Sequence, residues 1–293
     1  MIDRSRARTA FRVLNGTFFV LYAALCLVPV LQVLAISLSS NTAVVSGRVL
    51  LWPQMATLRS YSYILEKDAF WTAMQVSAVR VVLGVSVSMA MTVLAAYPLS
   101  LSKEKFRARG AIVWLFLFAM LFSGGMIPTY MVVRYTGLIN SIWALVVPCA
   151  VQIFNIVLMM NFFRSIPPDV SESAEIDGAG HWLILLRIYL PLSLPSLATM
   201  VVFTMVFHWN SWFDGLLYMN ESVKYPMQTY LQAILVQPNP RMITKATAEL
   251  LRLISDRTLK AAQVFIAAIP VLLAYPFLQR FFVSGILLGS VKE

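Results

Sequence analysis

Six long stretches of this 293-residue chain contain no Asp, Glu, Lys or Arg, and that absence constrains the fold more than any residue that is present. A helix needs roughly 20 apolar residues to cross a bilayer, and lipid accepts only structures that satisfy their backbone hydrogen bonds internally. The charge-free stretches run over 13–38, 81–102, 110–133, 135–163, 188–213 and 261–279. Extending the second upstream past Arg80, and the last by three residues, gives expected spans at 13–38, 70–102, 110–133, 135–163, 188–213 and 261–282, all within one transmembrane domain covering 1–293. Only 12% of residues are charged, against about 25% in an ordinary globular domain. The class expected is an all-α integral membrane protein. Basic residues precede the first stretch, but its length exceeds the apolar core of a signal peptide, so it is expected to be retained. Cys26 and Cys149 lie in apolar surroundings and read as small packing residues.

Orientation follows from Lys and Arg near helix ends, which favour the cytoplasmic side. Arg4, Arg6, Arg8 and Arg12 precede the first span, and Lys103, Lys105, Arg107 and Arg109 follow the second. Under a six-span count both clusters face the cytoplasm, together with both termini and the connection 164–190. The outward segments 39–69, 134–141 and 214–260 hold ten basic and six acidic residues, a net of +4. Within the last of them Val236–Met242 is Pro-rich and suits a projecting loop, while Thr244–Lys260 carries helical spacing at Leu250, Leu253 and Ile254.

Several chemistries are missing. No glycine is followed by Lys, so the phosphate cradle of a P-loop is absent. His181 and His208 are too far apart to suggest a zinc pair by spacing. Ser211, His208 and Asp214 could be drawn as a hydrolase triad, but no G-x-S-x-G elbow supports it. An ion-coupled secondary transporter is the stronger rival, since such proteins keep costly, functional carboxylates at membrane depth. None of the six stretches contains one. Arg80 is the sole charge at that depth, and snorkelling to the outer headgroups is favoured over ligand binding. The energy for any transport is therefore expected from another polypeptide, with the ion-coupled transporter as the alternative.

The connection 164–190 holds the densest charge in the chain. Asp169, Glu172, Glu175 and Asp177 fall within nine positions, in a chain with thirteen acids in all. Pro167 and Pro168 suit a helix's first turn, where a missing N–H costs nothing, and acids there meet the positive end of the macrodipole. Gly178 is the first residue that takes a left-handed conformation cheaply, so it should end the helix. After Gly180 a second short helix sets His181, Trp182, Leu185, Leu186 and Tyr189 on one face, until Pro191 and Pro195 mark entry into the fifth span. An acidic helix, a glycine turn and an apolar helix at the inner surface make a shape suited to the groove of a soluble partner.

The order Glu172-Ser173-Ala174, three residues, Gly178, nine residues, Ile188-x-Leu190-Pro191 resembles the EAA motif of ABC-importer permeases, with Ser173 where that family usually has Ala. Gly137–Ala179 and the Trp-Asn segment His208–Met219 are similar to carbohydrate-importer permeases of the maltose-type second permease family, in the branch for oligosaccharides of complex or uronic-acid polysaccharides. The resemblance implies the type I ABC-importer permease fold, with six transmembrane helices and a cytosolic coupling helix between helices 4 and 5. It implies a non-catalytic subunit forming half of a translocation pathway for a sugar or oligosaccharide in the bacterial cytoplasmic (inner) membrane. The implied partners are a second, non-identical permease, two ATPase subunits that carry ATP and Mg, an extracytoplasmic solute-binding protein and the lipid bilayer. No cofactor, metal or nucleic acid is expected on this chain. Coupling to the ATPases is assigned to Glu172, Ala174, Glu175, Asp177 and Gly178.

Sugar sites combine aromatic faces with hydrogen-bonding side chains. The candidates are Gln152, Asn155 and Asn161 in the fourth span, then His208, Trp209, Asn210 and Trp212 at the outer end of the fifth, with Trp209 and Asn210 foremost. Each could instead bond a neighbouring helix, as membrane packing often requires. Pro238, Asn239, Pro240 and Arg241 are the expected docking point for the binding protein. The +4 balance of the outer segments suits an anionic sugar and an acidic binding protein equally.

Overall fold

The computed structural model describes residues 6–236 and 257–273, with side chains from 9 to 233 and from 257 to 273. All regular structure among these residues is helical. The chain divides into two compact units, Met1–Asp68 with Ile234–Ile269, and Ala69–Ala233 with Pro270–Glu293.

In the first unit, α1 (Arg6–Ser37) is followed by the short α2 (Asn41–Val45) and α3 (Arg59–Leu65). Phe11, Leu14, Phe18 and Leu25 of α1 all stand exposed, as in a helix whose solvent is lipid. The chain turns tightly at its end. Ser40 caps α2 by accepting from Ala43 N, Ser37 Oγ bonds Tyr61 Oη at 2.7 Å, and Ala35, Ala43, Val44 and Val49 form a small buried cluster.

The second unit is organised on α4 (Asp68–Ser100). Its 33 residues make a rod of about 50 Å at 1.5 Å per residue. Ala73, Ser77, Gly84, Ser88, Thr92 and Ala96 are buried along it. They recur every four or seven positions, which places them on one face, and small residues there let neighbouring helices approach closely. The approach is tightest at Gly84, where an added Cβ would lie 2.5–2.6 Å from the ring of His208.

Then follow α5 (Arg109–Leu121), α6 (Met126–Tyr135), α7 (Trp143–Val146) with a 3-10 turn Val147–Cys149, α8 (Ile153–Ser165) and α9 (Pro168–Ile176). Next are α10 (His181–Ile184), a π-helical turn Leu185–Tyr189, α11 (Leu190–Leu192), α12 (Leu194–Asn210), α13 (Phe213–Tyr218) and α14 (Met227–Val236). Residues 257–273 form α15.

The stretches 110–133, 135–163 and 188–213, expected as single spans, are each a bent helix pair. The breaks measure 116° between Arg109–Leu121 and Met126–Tyr135, 50° between Trp143–Cys149 and Ile153–Ser165, and 81° between His181–Leu192 and Leu194–Asn210. Local chemistry explains them. Gly125 sits at φ 85°, ψ 178°, a conformation open essentially to glycine alone. Pro148 and Pro195 remove the N–H that would bond the carbonyl four residues back, and their rings crowd that carbonyl. Among the described residues, Thr9–Ser37 and Asp68–Ser100 are each long and apolar enough to cross a membrane, and the number rises to five when each bent pair counts as one span. The end of the expected sixth span, 274–282, lies outside the described residues.

The Gly84 contact yields a test. Gly84→Ala should cost about 1–3 kcal/mol through overpacking, read as a lowered melting temperature of the purified protein in detergent. Adding His208→Ala should return most of that loss. An unchanged melting temperature in the single variant would refute the tight crossing.

Candidate functional site

The acidic segment is built for exposure on one side and anchorage on the other. Helix α9 begins with Pro168 in its first turn, followed by Asp169. It closes with a Schellman motif: Ala179 N donates to Ala174 O at 2.9 Å and Gly178 N to Glu175 O at 3.0 Å, with Gly178 at φ +83°. Nothing lies within 4 Å of a Cβ placed on Gly178, so glycine is needed there for its backbone and not for space. Glu172, Glu175, Asp177 and Gly178 are exposed, whereas Ala174 is half-buried. Ser173 satisfies its own hydroxyl by donating to Asp169 O at 2.9 Å.

Glu175 is tied back to the loop after α4. Lys105 Nζ donates to its two carboxylate oxygens at 2.7 and 2.8 Å. The hydrogen bond to Glu175, with the charges of Glu175 and Glu172, holds the Lys105 ammonium above its ordinary pKa of 10.5. A raised lysine pKa stabilises wherever the ammonium is present and is lost only as pH climbs through that raised value, so the tether persists at neutral pH. Both side chains are about a third exposed, so solvent screening keeps its worth below about 1 kcal/mol.

The anchorage is aromatic and aliphatic. Ile184, Leu185 and Tyr189 are buried in one cluster with Tyr97 of α4 and Met159 and Phe163 of α8, with Ala174 packed against it. Tyr97 and Phe163 meet the Tyr189 ring edge-on, at 5.2 and 5.3 Å between centroids. Tyr97 Oη also bonds His181 Nδ1 at 3.2 Å. Arg164 and Arg109 donate to Leu99 O and Leu101 O, supplying cationic partners to the carbonyls that end α4. The apolar face expected over His181–Tyr189 divides: Leu185 and Tyr189 are buried, while Trp182 and Leu186 are 66% and 58% exposed. The segment lies as a single layer on α4 and α8, so only one stripe of it can be covered. A cleft of about 330 Å³, lined by Ala174, Asp177, Gly178, Leu183, Arg187 and Ile188 among others, opens where α9 turns into α10.

A second group of polar residues is buried along α4, α8 and α12. Asn155 Nδ2 donates to Gln152 Oε1 at 2.6 Å and to Thr204 Oγ1 at 3.2 Å. One turn further along α12, His208 is 1% exposed, and neither ring nitrogen has a hydrogen-bond partner among the described residues. Ser88 Oγ, Thr92 Oγ1 and Gln152 Nε2 are likewise buried and unbonded there. Trp209 is buried, but Asn161, Asn210 and Trp212 are exposed and stand apart from this seam. Pro238, Asn239, Pro240 and Arg241 lie outside the described residues.

Arg80 corrects the snorkelling expectation. It is fully buried and forms an ion pair with Asp214 through Nη2. Its Nη1 donates to Asp214 Oδ1 and to Ser211 O, both at 3.1 Å. A guanidinium held inside the protein is costly unless paired, and Asp214, the first acid after the charge-free 188–213, is placed to answer it. The turn bearing Asp214 is held in turn by Thr229, whose Oγ1 donates to Trp212 O at 2.7 Å, and by Ser77 Oγ, which accepts from Met227 N at 2.7 Å. Thr204, Ser88, Thr92 and the Arg80–Asp214 pair were not among the sequence candidates. A lone charge in an apolar helix was the signal for the pair, since it obliges a counter-charge. Among the described residues no group of three or more His, Cys, Asp or Glu could hold a metal ion.

Comparison with known proteins gives this geometry a context. A family model described as a binding-protein-dependent transport system inner membrane component matches residues 69–287. The polygalacturonan/rhamnogalacturonan transport system permease protein YtcP of Bacillus subtilis is 39% identical over 282 residues, 96% of this chain and 98% of that protein. LplC of the same organism is 36% identical over 293 residues, 99% of this chain and 98% of that protein. Among solved structures, a bacterial ABC transporter involved in the import of the acidic polysaccharide alginate contains a chain that is 31% identical, with a TM-score of 0.86 over 96% of this chain and 100% of that one.

The ion pair should behave as a coupled unit in a double-mutant cycle. Arg80→Ala or Asp214→Ala alone should each destabilise by about 3–5 kcal/mol, and the double variant by clearly less than their sum. Thermal unfolding of the four proteins measures this, and additive losses would mean that the two residues do not interact.

Proposed function

Because the chain belongs to the binding-protein-dependent transport system inner membrane component family, we propose that it forms half of the translocation pathway of an ATP-driven importer of carboxylate-bearing oligosaccharides. It is an integral membrane permease and not an enzyme; ATP and Mg are bound by the ATPase subunits. It works with a second permease, the ATPases and a solute-binding protein outside the membrane. In the full reading the six spans are 13–38, 70–102, 110–133, 135–163, 188–213 and 261–282, both termini face the cytoplasm of a bacterial inner membrane, and the second permease is a non-identical paralogue.

The observation that carries the reading is the construction of α9. Its acids point outward, Gly178 stops it in a left-handed turn, and the chain beyond it is seated through Ile184, Leu185 and Tyr189 on α4 and α8. A helix exposed on one side and packed on the other transmits displacement as a lever. Glu172, Ala174, Glu175, Asp177 and Gly178 would meet the ATPase, and movement there would reach both helices through the aromatic cluster. Access then alternates because the two states bind ligand differently. Gln152, Asn155 and His208 are the proposed pathway residues, with Trp209, Asn210 and Trp212 proposed at its outer end and Pro238–Arg241 proposed as the docking point of the binding protein. The substrate class rests on the relatives named for polygalacturonan/rhamnogalacturonan transport and alginate import. An ion-coupled transporter fits less well, since the acid beside the seam, Asp214, is held by Arg80.

Reconstitution tests this. Uptake of oligogalacturonates into proteoliposomes should require both the ATPase subunits and the binding protein; uptake by the chain alone under an ion gradient would sink the proposal. Gly178→Val forces a β-branched residue into a left-handed conformation at a cost of about 1–2 kcal/mol. It should reduce uptake by about tenfold, the equivalent of 1.4 kcal/mol in coupling, while the subunits still copurify. Full transport in that variant would remove α9 from the coupling path.

A further inference from the structure

We infer that Arg80 reads the carboxylate of the transported sugar, and that Asp214 holds its place in the absence of substrate. The inference deepens the proposed function and rests on it.

The pair is asymmetric. Arg80 has a side-chain exposure of 0% and Asp214 of 18%. Both terminal nitrogens of the guanidinium are engaged by one carboxylate, the group with which an arginine fork pairs in two parallel bonds. A sugar carboxylate presents the same two oxygens. Exchange of one for the other leaves the buried cation paired before and after, so the costly state, a buried guanidinium with no counter-charge, is avoided. The displaced Asp214 already has a path to water. A neutral sugar offers no equivalent of its carboxylate and so cannot take its place.

The surroundings are unfinished in a way that a purely structural ion pair does not require. Arg80 Nε is buried without a hydrogen-bond partner among the described residues. His208, packed on Gly84 one turn along α4, has both nitrogens unbonded, and Ser88 Oγ and Thr92 Oγ1 follow on the same face. Buried polar groups of native proteins are nearly always satisfied. Three unsatisfied side chains in line with a carboxylate-binding fork match a ligand that carries one carboxylate and several hydroxyls on adjoining rings, a uronate oligosaccharide. The resulting filter selects charge at Arg80 and hydroxyl pattern along His208, Ser88 and Thr92.

The test uses the assembled permeases and ATPases in lipid nanodiscs, without binding protein, titrated with trigalacturonate or with its neutral counterpart galactotriose while the melting temperature is read. Trigalacturonate should stabilise the wild type and galactotriose should not. Asp214→Asn, which removes the competing charge, should bind the acid at least about tenfold more tightly, and Arg80→Gln with Asp214→Asn should abolish the preference for acid over neutral sugar, as expected when a charge-assisted fork is lost. Unchanged acid binding in both variants, or no acid stabilisation of the wild type, overturns the inference. Should the double variant fail to assemble, Arg80→Lys keeps the charge and loses the fork: acid binding weakened about tenfold supports the inference, and unaltered binding overturns it. Uptake driven by ATP and binding protein in the wild type is measured separately, so its absence would count against the proposed function and not only against Arg80.

Discussion

A fully buried arginine in a helix of 33 residues dictates much of what surrounds it. The charge cannot be hydrated at that position, so a carboxylate has to come to it, and removing either partner costs about 3–5 kcal/mol in comparable buried pairs. Asp214 sits beyond the end of α12, and reaching Arg80 obliges the chain to turn back over α4 directly after Asn210. Thr229 and Ser77 then hold that turn by bonds to Trp212 O and Met227 N. One side chain on α4 thereby positions the end of α12, α13 and the start of α14. The small residues on the same face make the approach possible, because a larger group at Gly84 would collide with His208.

The other end of α4 obeys a different physics. There the unit is held by apolar and aromatic contact, with Tyr97, Phe163 and Tyr189 meeting edge to face, and by two arginines bonded to the carbonyls that end the helix. Dispersion contacts of this kind are collectively strong and short in range, so they resist separation and transmit displacement as a block. The π turn at Leu185–Tyr189 lies inside this contact, and such turns often mark functional positions. Helix α9 outside it is held by the Schellman turn, the exposed Lys105 tether and the half-buried Ala174. A firmly seated second half and a lightly held acidic first half suit the proposed role of this segment as a lever moved by the ATPases.

Much of the architecture was legible one residue at a time. Charge-free stretches report the transfer cost of charge into lipid, and that cost is a property of each residue, so the helical, membrane-spanning class needs no tertiary information. Proline and glycine act locally through φ and a missing donor, which is why the stop at Gly178 could be read directly, and why Pro148 and Pro195 sit at real bends. The bends themselves were passed over, because hydropathy measures how greasy a stretch is and not whether it is straight. The division of the His181–Tyr189 face was equally invisible, since it depends on which stripe the layer beneath can cover.

The sequence by itself determined solvation and local backbone: a mostly helical membrane chain, an acidic helix of limited length, and a fifth stretch free of carboxylates. Tertiary structure alone decided the pairings. Arg80 read as a residue bound for the headgroups until Asp214, 134 positions away, was brought against it. Thr204 gained meaning only when Asn155 reached it across 49 positions, and of the two foremost sequence candidates Trp209 is buried while Asn210 is left exposed, as is Trp212. The reason is physical. The cost of burying a polar group is written in its own chemistry, but what satisfies it is set by whichever distant segment the packing of apolar surfaces carries alongside.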